Sequence, residues 1–98
     1  MANSIKSAAF LIESRIADAA HGDAQALFDL GVAFSTGSGG VHVDLVEAHK
    51  WFNLAALHGN EEGMHCRAEI SEEMTAREIS DAQKEARAWL RATTARAA

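Results

Sequence analysis

The chain has 98 residues and a mass of 10.5 kDa, so residues 1–98 are expected to form one small domain, and a two-domain enzyme is excluded. It contains 21 alanines and no proline, a composition that favours helices and excludes an all-β or disordered protein. Its 14 acidic and 9 basic residues give a net charge of −5, which argues against nucleic acids and anionic membranes as partners.

The sequence has few features that relate to targeting or redox chemistry. Cys66 is the only cysteine, so no disulfide can form within the chain, as is usual in a reducing compartment. The apolar run near the N-terminus breaks at Glu13 after five residues, which is too short for a signal peptide, and no membrane-spanning segment is predicted. We therefore expect a cytoplasmic protein, and no motif predicts a cofactor.

The first two predicted helices are separated by a short turn. The first covers approximately residues 4–20 and ends at Gly22, whereas the second begins at the N-cap Asp23 and ends before Gly37. Apolar residues recur every three or four positions along each helix, as expected for one buried face. These stripes consist of Ile5, Ala9, Ile12, Ile16 and Ala19 in the first helix and of Ala26, Leu27, Leu30, Gly31 and Phe34 in the second.

Three further helices follow a glycine-rich loop. Asp44 and Glu47 have the spacing of a capping box that begins the third helix, and Thr75 and Glu78 have the same spacing at the start of the fifth. The fourth helix is predicted over residues 61–74. The apolar stripes consist of Ala48, Trp51, Phe52, Ala55 and Ala56 in the third helix, of Met64, Arg67, Ala68, Ile70 and Met74 in the fourth, and of Ile79, Ala82, Ala86, Trp89 and Leu90 in the fifth.

A sequence repeat accounts for the positions of these boundaries. Residues 19–23 recur as residues 56–60, with 37 residues between the two glycines, a period typical of helix-turn-helix repeat proteins. Over residues 22–59 the order and spacing of glycines, aromatic residues and alanines resemble the Sel-one-like repeat, a relative of the tetratricopeptide repeat. The residues that carry the resemblance are Gly22, Leu30, Gly31, Phe34, Trp51, Phe52, Ala55 and Gly59.

The resemblance implies an all-α fold, a right-handed α-α superhelix (solenoid) of about five antiparallel helices. Residues 60–98 then form the terminal helices of this single domain. Two positions where the family usually has tyrosine hold Phe34 and Phe52, and we expect both rings to pack without the hydroxyl group. Gly63 stands where alanine is usual, which lowers the helix propensity by up to about 1 kcal/mol.

Glycine in the middle of the second helix indicates close helix packing, independently of the resemblance. Gly31 allows another helix to cross there, and the alanines of the third helix, Ala48, Ala55 and Ala56, are expected to form the facing surface. The large residues Leu30, Phe34, Trp51 and Phe52 would then fill the core on either side.

Four of the five histidines have structural interpretations. His21 and His58 precede the two repeat glycines, where a protonated imidazole stabilises a helix C-terminus by about 0.3 to 1 kcal/mol. His42 in the loop and His49 on the third helix are both expected to be solvated. None of these four histidines is therefore predicted to be catalytic.

The fourth helix carries the strongest candidate for chemistry. Glu61, His65 and Glu69 are four residues apart and share one face, which could bind a divalent metal or simply be a solvated, ion-paired face. No HExxH or CxxC motif and no second cluster supplies further ligands, so we predict no metal site. A small metal-dependent or hydrolytic enzyme centred on His65 and Glu69 is the alternative function. Cys66 is expected to be a half-buried thiol whose pKa is raised by acidic neighbours, and no catalytic residue is predicted.

The surface suggests a binding function. Phe10, Phe28 and Val32 lie off the predicted core stripes and form an exposed apolar patch, unless the first helix packs over Phe28. Acidic residues would border a groove and favour a basic partner, or form a solvated face; they are Asp29, Glu61, Glu62, Glu69, Glu72 and Glu73. We predict a non-enzymatic adapter that binds a protein or peptide, and the open ends of the helix stack also allow a homodimer. The residues predicted to bind the partner are Phe10, Phe28, Asp29, Val32, His65 and Glu69.

Overall fold

The structure, a computed structural model, describes the backbone of residues 2–97 and the side chains of residues 10–94. Its elements are the five helices α1 (Ala2–Ala20), α2 (Ala24–Thr36), α3 (Leu45–Leu57), α4 (Glu61–Ser71) and α5 (Ala76–Ala97). The predicted all-α fold is therefore confirmed. None of the described helices has the length and apolar character required to cross a membrane.

The turns of the sequence repeat have the predicted geometry. Gly22 and Gly59 adopt φ angles of 84° and 92°, in the left-handed region that favours glycine. Asp23 caps α2 by accepting hydrogen bonds from two backbone N–H groups, and Asn60 caps α4 by accepting one from the Gly63 N–H at 2.7 Å. These caps satisfy N–H groups that have no partner within the helix, so each helix begins directly after the preceding turn.

The two predicted capping boxes differ. At the start of α5 the Glu78 N–H donates to Thr75 and the Thr75 N–H donates to Glu78, so this box is complete. At the start of α3 the Glu47 N–H donates to Asp44, but the Glu47 carboxylate accepts from the Trp51 indole at 3.1 Å and from Lys50 instead. Glu47 therefore fixes the orientation of a core tryptophan rather than completing the box.

Helix α3 lies at the centre of the molecule, because it contacts α2, α4 and α5, whereas α1 packs on α2. Residues on most of its faces are consequently buried; they are Ala48, His49, Trp51, Phe52, Leu54 and Ala55. Trp51 also packs edge-to-face on Trp89 of α5, with ring centroids 4.8 Å apart. From α1 the predicted stripe residues Ile12, Ile16 and Ala19 join this core, while the side chains of Ile5 and Ala9 lie outside the described residues.

The close crossing predicted at Gly31 is present, but an aromatic ring occupies it. A Cβ atom at Gly31 would lie 2.4 Å from the Phe52 ring of α3, so only glycine leaves room for that ring. The prediction that alanines face Gly31 is thus corrected. Ala55 instead lies against Gly63 of α4, where an added Cβ would approach the Ala55 methyl group to 3.0 Å.

Helix α4 departs most from its predicted form. It ends at Ser71 rather than near Met74, and Gly63 is its one buried residue. Of the predicted stripe, Met64 is 45% exposed and Ala68 is exposed, whereas Arg67, Ile70 and Met74 are partly buried. The prediction was wrong for Met64 and Ala68, because α4 approaches α3 through the backbone at Gly63, and a contact made by glycine is not visible in an apolar pattern.

Candidate functional site

An open groove with a volume of about 540 Å³ lies between the first turns of α2 and α4. We call it the acidic groove; its lining residues are Gln25, Phe28, Gly59, Asn60, Glu61 and Glu62. Sequence reasoning singled out Phe28 and the two glutamates but missed the others. The helical spacing could have predicted Gln25, because it lies one turn before Phe28 on the same helix.

Phe28 supplies the apolar part of the groove. Its ring packs on Phe52 of α3, with centroids 5.6 Å apart and the planes inclined by 48°. Phe28 and Val32 are both partly buried, so the predicted exposed apolar patch is corrected to a half-buried surface. The aromatic contact identifies α3 as the helix that supports Phe28, which leaves part of the ring to the groove.

Glu61 and Glu62 supply the negative charge of the acidic groove. Both are exposed and lie in the first turn of α4, where a negative charge interacts favourably with the helix dipole. Among the described residues neither forms a salt bridge, and none of the six lining residues is basic. The acidic groove is therefore an electronegative surface with an apolar floor.

Two other predicted binding residues lie elsewhere. The Asp29 carboxylate pairs with Arg15 of α1 at 3.4 Å and accepts a hydrogen bond from the Gln25 amide at 3.0 Å. Asp29 lines a separate depression between α1 and α2. Phe10 is 68% exposed on α1 and is not among the lining residues of the acidic groove. The structure thus separates the predicted set instead of bringing it together.

Among the described residues, the side chains of α4 do not come together with others to form a metal site or a reactive thiol. His65 and Glu69 are exposed, and no group of three or more His, Cys, Asp or Glu residues in the described part of the chain is arranged to hold a metal ion. Cys66 is partly buried, as expected, and its pKa is raised first by burial and then by Glu69 and Glu62. A thiol in this environment is a weak nucleophile at neutral pH.

The predictions for His58 and His42 agree with the structure, whereas the prediction for His49 does not. His58 ends α3, and its Nδ1–H donates to the Leu54 carbonyl oxygen at 2.8 Å, in line with the predicted role at a helix end. His42 is exposed, as expected. The prediction for His49 was wrong: it is only 3% exposed, because helices packed on three sides of α3 leave little of its surface to solvent.

Comparison of the chain with protein-family models, curated proteins and solved structures finds no match. The resemblance to the Sel-one-like repeat therefore rests on the residues of 22–59 and stays a prediction. The shape and charge of the acidic groove are the basis on which a function can be proposed.

Proposed function

We propose that the chain is a small adapter that binds a basic segment of a partner protein in the acidic groove. The observation that carries this proposal is the placement of two carboxylates, Glu61 and Glu62, which form no salt bridge with another described residue, beside the partly exposed Phe28 ring. A segment with lysine or arginine on either side of an apolar residue complements both features. Charge complementarity of this kind governs orientation and association rate, and an apolar anchor adds desolvation.

The test uses a fluorescein-labelled peptide with leucine between two pairs of arginines, and its acidic counterpart with glutamates in place of the arginines. Fluorescence anisotropy is expected to show binding of the basic peptide alone, and weaker binding in 500 mM than in 50 mM NaCl, since exposed charges are screened by salt. Binding of both peptides with equal affinity would contradict the charge complementarity.

Charge reversal at the two ends of α4 provides a matched pair of variants. Glu61→Lys/Glu62→Lys reverses the groove, whereas Glu72→Lys/Glu73→Lys makes the same change in net charge just beyond the other end of α4. We expect the groove variant to weaken the basic peptide by about tenfold and the control variant to have a much smaller effect. Equal losses in both variants would mean that net charge, and not the groove, attracts the peptide.

A second copy of the chain is the competing occupant in this test. The four basic residues of α5 within the described side chains are exposed and form no salt bridge with another described residue; they are Arg77, Lys84, Arg87 and Arg91. Sedimentation velocity decides whether a partner protein or a second copy of the chain occupies the groove. The protein concentration ranges from about 10 to about 100 μM, which is on the order of the dissociation constants of weak self-association. A monomer at all concentrations leaves the groove free for a partner, whereas self-association abolished by Glu61→Lys/Glu62→Lys would replace the adapter proposal.

A further inference from the structure

His49 is the one histidine of the chain that is buried, and the other four are exposed. Its ring is 3% exposed, and its Nδ1 atom is inaccessible to solvent and has no hydrogen-bond partner among the described residues. Buried polar atoms without a partner are rare in folded proteins, because their desolvation is not compensated. This position therefore carries a cost that an apolar side chain would avoid.

The charged group that acts on His49 comes from α4. Arg67 donates a hydrogen bond at 2.7 Å to Asn53, one turn after His49 on α3, and its positive charge opposes protonation of the imidazole. Of the charged groups on the other helices packed on α3, the four described basic residues of α5 are exposed. Glu85 of α5 lies 3.9 Å from Lys50, and the Asp29 carboxylate of α2 is paired with α1.

Helix α4 contains no phenylalanine, tryptophan or tyrosine, so it packs on α3 through smaller side chains. Gly63 is its one buried residue, and the partly buried Arg67 holds it to Asn53. In contrast, α2 and α5 are joined to α3 by aromatic pairs, Phe28 with Phe52 and Trp51 with Trp89. A repulsive charge at the α3–α4 contact therefore acts on a helix that no aromatic pair among the described residues joins to α3.

We propose that His49 is an acid-sensitive switch: protonation of its ring beside Arg67 releases α4 from α3, while α2, α3 and α5 stay packed. Protonation places a second cation, on the buried His49 ring, at a contact that already contains the partly buried Arg67 guanidinium group. The movement of α4 relieves both the repulsion and the missing hydrogen bond, since the imidazolium then reaches water.

The direction of the pH dependence follows from the same environment. Burial lowers the pKa of His49 below its ordinary value of 6.5, and Arg67 lowers it further. The open form of α4 thus binds the proton more strongly than the packed form. Packing of α4 is independent of this group above pH 6.5, weakens as the pH falls below that value, and levels off below the pKa of the packed form.

Amide hydrogen exchange tests the proposal on the full chain. Protection factors are calculated at pH 7.5 and 5.0 from rates divided by the intrinsic rate at each pH. We expect protection within residues 61–71 to fall by about tenfold between pH 7.5 and pH 5.0, while α3 and α5 keep their protection. A fall of the same size in all helices, or none in α4, would overturn the proposal.

Two variants assign the effect to one ring. His49→Gln is expected to remove the pH dependence of α4 protection, whereas His42→Gln, the same change at an exposed histidine, is expected to retain it. If His49→Gln does not fold, the NMR titration of the five histidine rings in the native chain decides. A His49 ring that titrates together with the exposed histidines would contradict the switch.

Discussion

At the scale of single residues, Gly31 shows how one missing side chain sets the distance between two helices. The Phe52 ring occupies the place where a Cβ atom of residue 31 would be, and it also supports Phe28 in the acidic groove. Gly31 is thus needed for the core of α2 and α3 and indirectly for the floor of the proposed binding site.

Substitution of Gly31 by alanine tests this contact. Helix propensity alone would make Gly31→Ala stabilising by about 1 kcal/mol, but the clash with Phe52 is expected to lower the free energy of unfolding by about 1–3 kcal/mol. Urea denaturation followed by circular dichroism measures the change. In a Phe52→Ala background the same substitution should become neutral or stabilising, and a loss that persists there would exclude Phe52 as the cause.

Gly31 and His49 mark what residue patterns can and cannot predict. Glycine within an otherwise regular helix is itself a sign of close packing, so the crossing at Gly31 could be predicted. His49 lies off the apolar stripe of α3, and its burial results from the helices packed around α3, whose positions no local pattern contains. The orphaned Nδ1 atom became visible only with the tertiary structure.

At the scale of helices, the contact between α3 and α5 gathers charges of both signs. Glu85 of α5 lies 3.9 Å from Lys50, and this attraction alone would lower the pKa of Glu85. Burial, the nearby Glu47 and the charge of Asp44 have the opposite and larger effect, so the pKa of Glu85 is raised above its ordinary value of 4.5. The ionised carboxylate is therefore less favourable in the folded chain than in the unfolded one.

Glu85→Gln is expected to stabilise the protein at pH 7, because the neutral amide avoids this cost. The Glu85 side chain is 46% exposed, so solvent screening keeps the increase in Tm below about 4 °C, the shift that corresponds to about 1 kcal/mol in a small domain. The difference from the native chain should vanish as the pH falls below 4.5, where both side chains are neutral. Thermal unfolding at pH 7 and 3.5 measures it, and destabilisation at pH 7 would show that the attraction to Lys50 prevails.

Helix boundaries were predictable to within a few residues, since caps and left-handed glycines are local signals. Asp23, Asn60 and Thr75 each cap the helix that the sequence indicated. The buried surface of α4 was not predictable, because that helix contacts α3 through Gly63 and not through an apolar stripe. The acidic groove was predicted only in part for the same reason: its width depends on how closely α4 approaches.

At the scale of the whole molecule, stability depends on a few large side chains in a core that is otherwise rich in alanine. Trp51 is 3% exposed, packs on Trp89, and receives the Lys50 ammonium group 4.4 Å from its ring centroid. The buried alanines around it, such as Ala82 and Ala86 of α5, bring the helices close but bury little area each.

Trp51→Ala is accordingly expected to cost about 3–5 kcal/mol, a large part of the 5–15 kcal/mol that is typical of a folded domain. Trp89→Ala should cost less, because Trp89 is only partly buried. Urea midpoints of the two variants provide the comparison. His65→Ala, at an exposed position of α4, serves as the control and should change stability by less than about 0.5 kcal/mol.

The central position of α3 has a consequence for how the chain acquires its structure. Most contacts connect helices that are adjacent or next-but-one in the chain, although the end of α1 also lies near Trp89 and Leu90 of α5. Most loop closures are therefore inexpensive and folding should be fast, as in other helical proteins of low contact order. Helices α1 and α2 have no core to join until α3 is available. During synthesis on the ribosome, the emergence of residue 57 is therefore the event after which a stable nucleus can form.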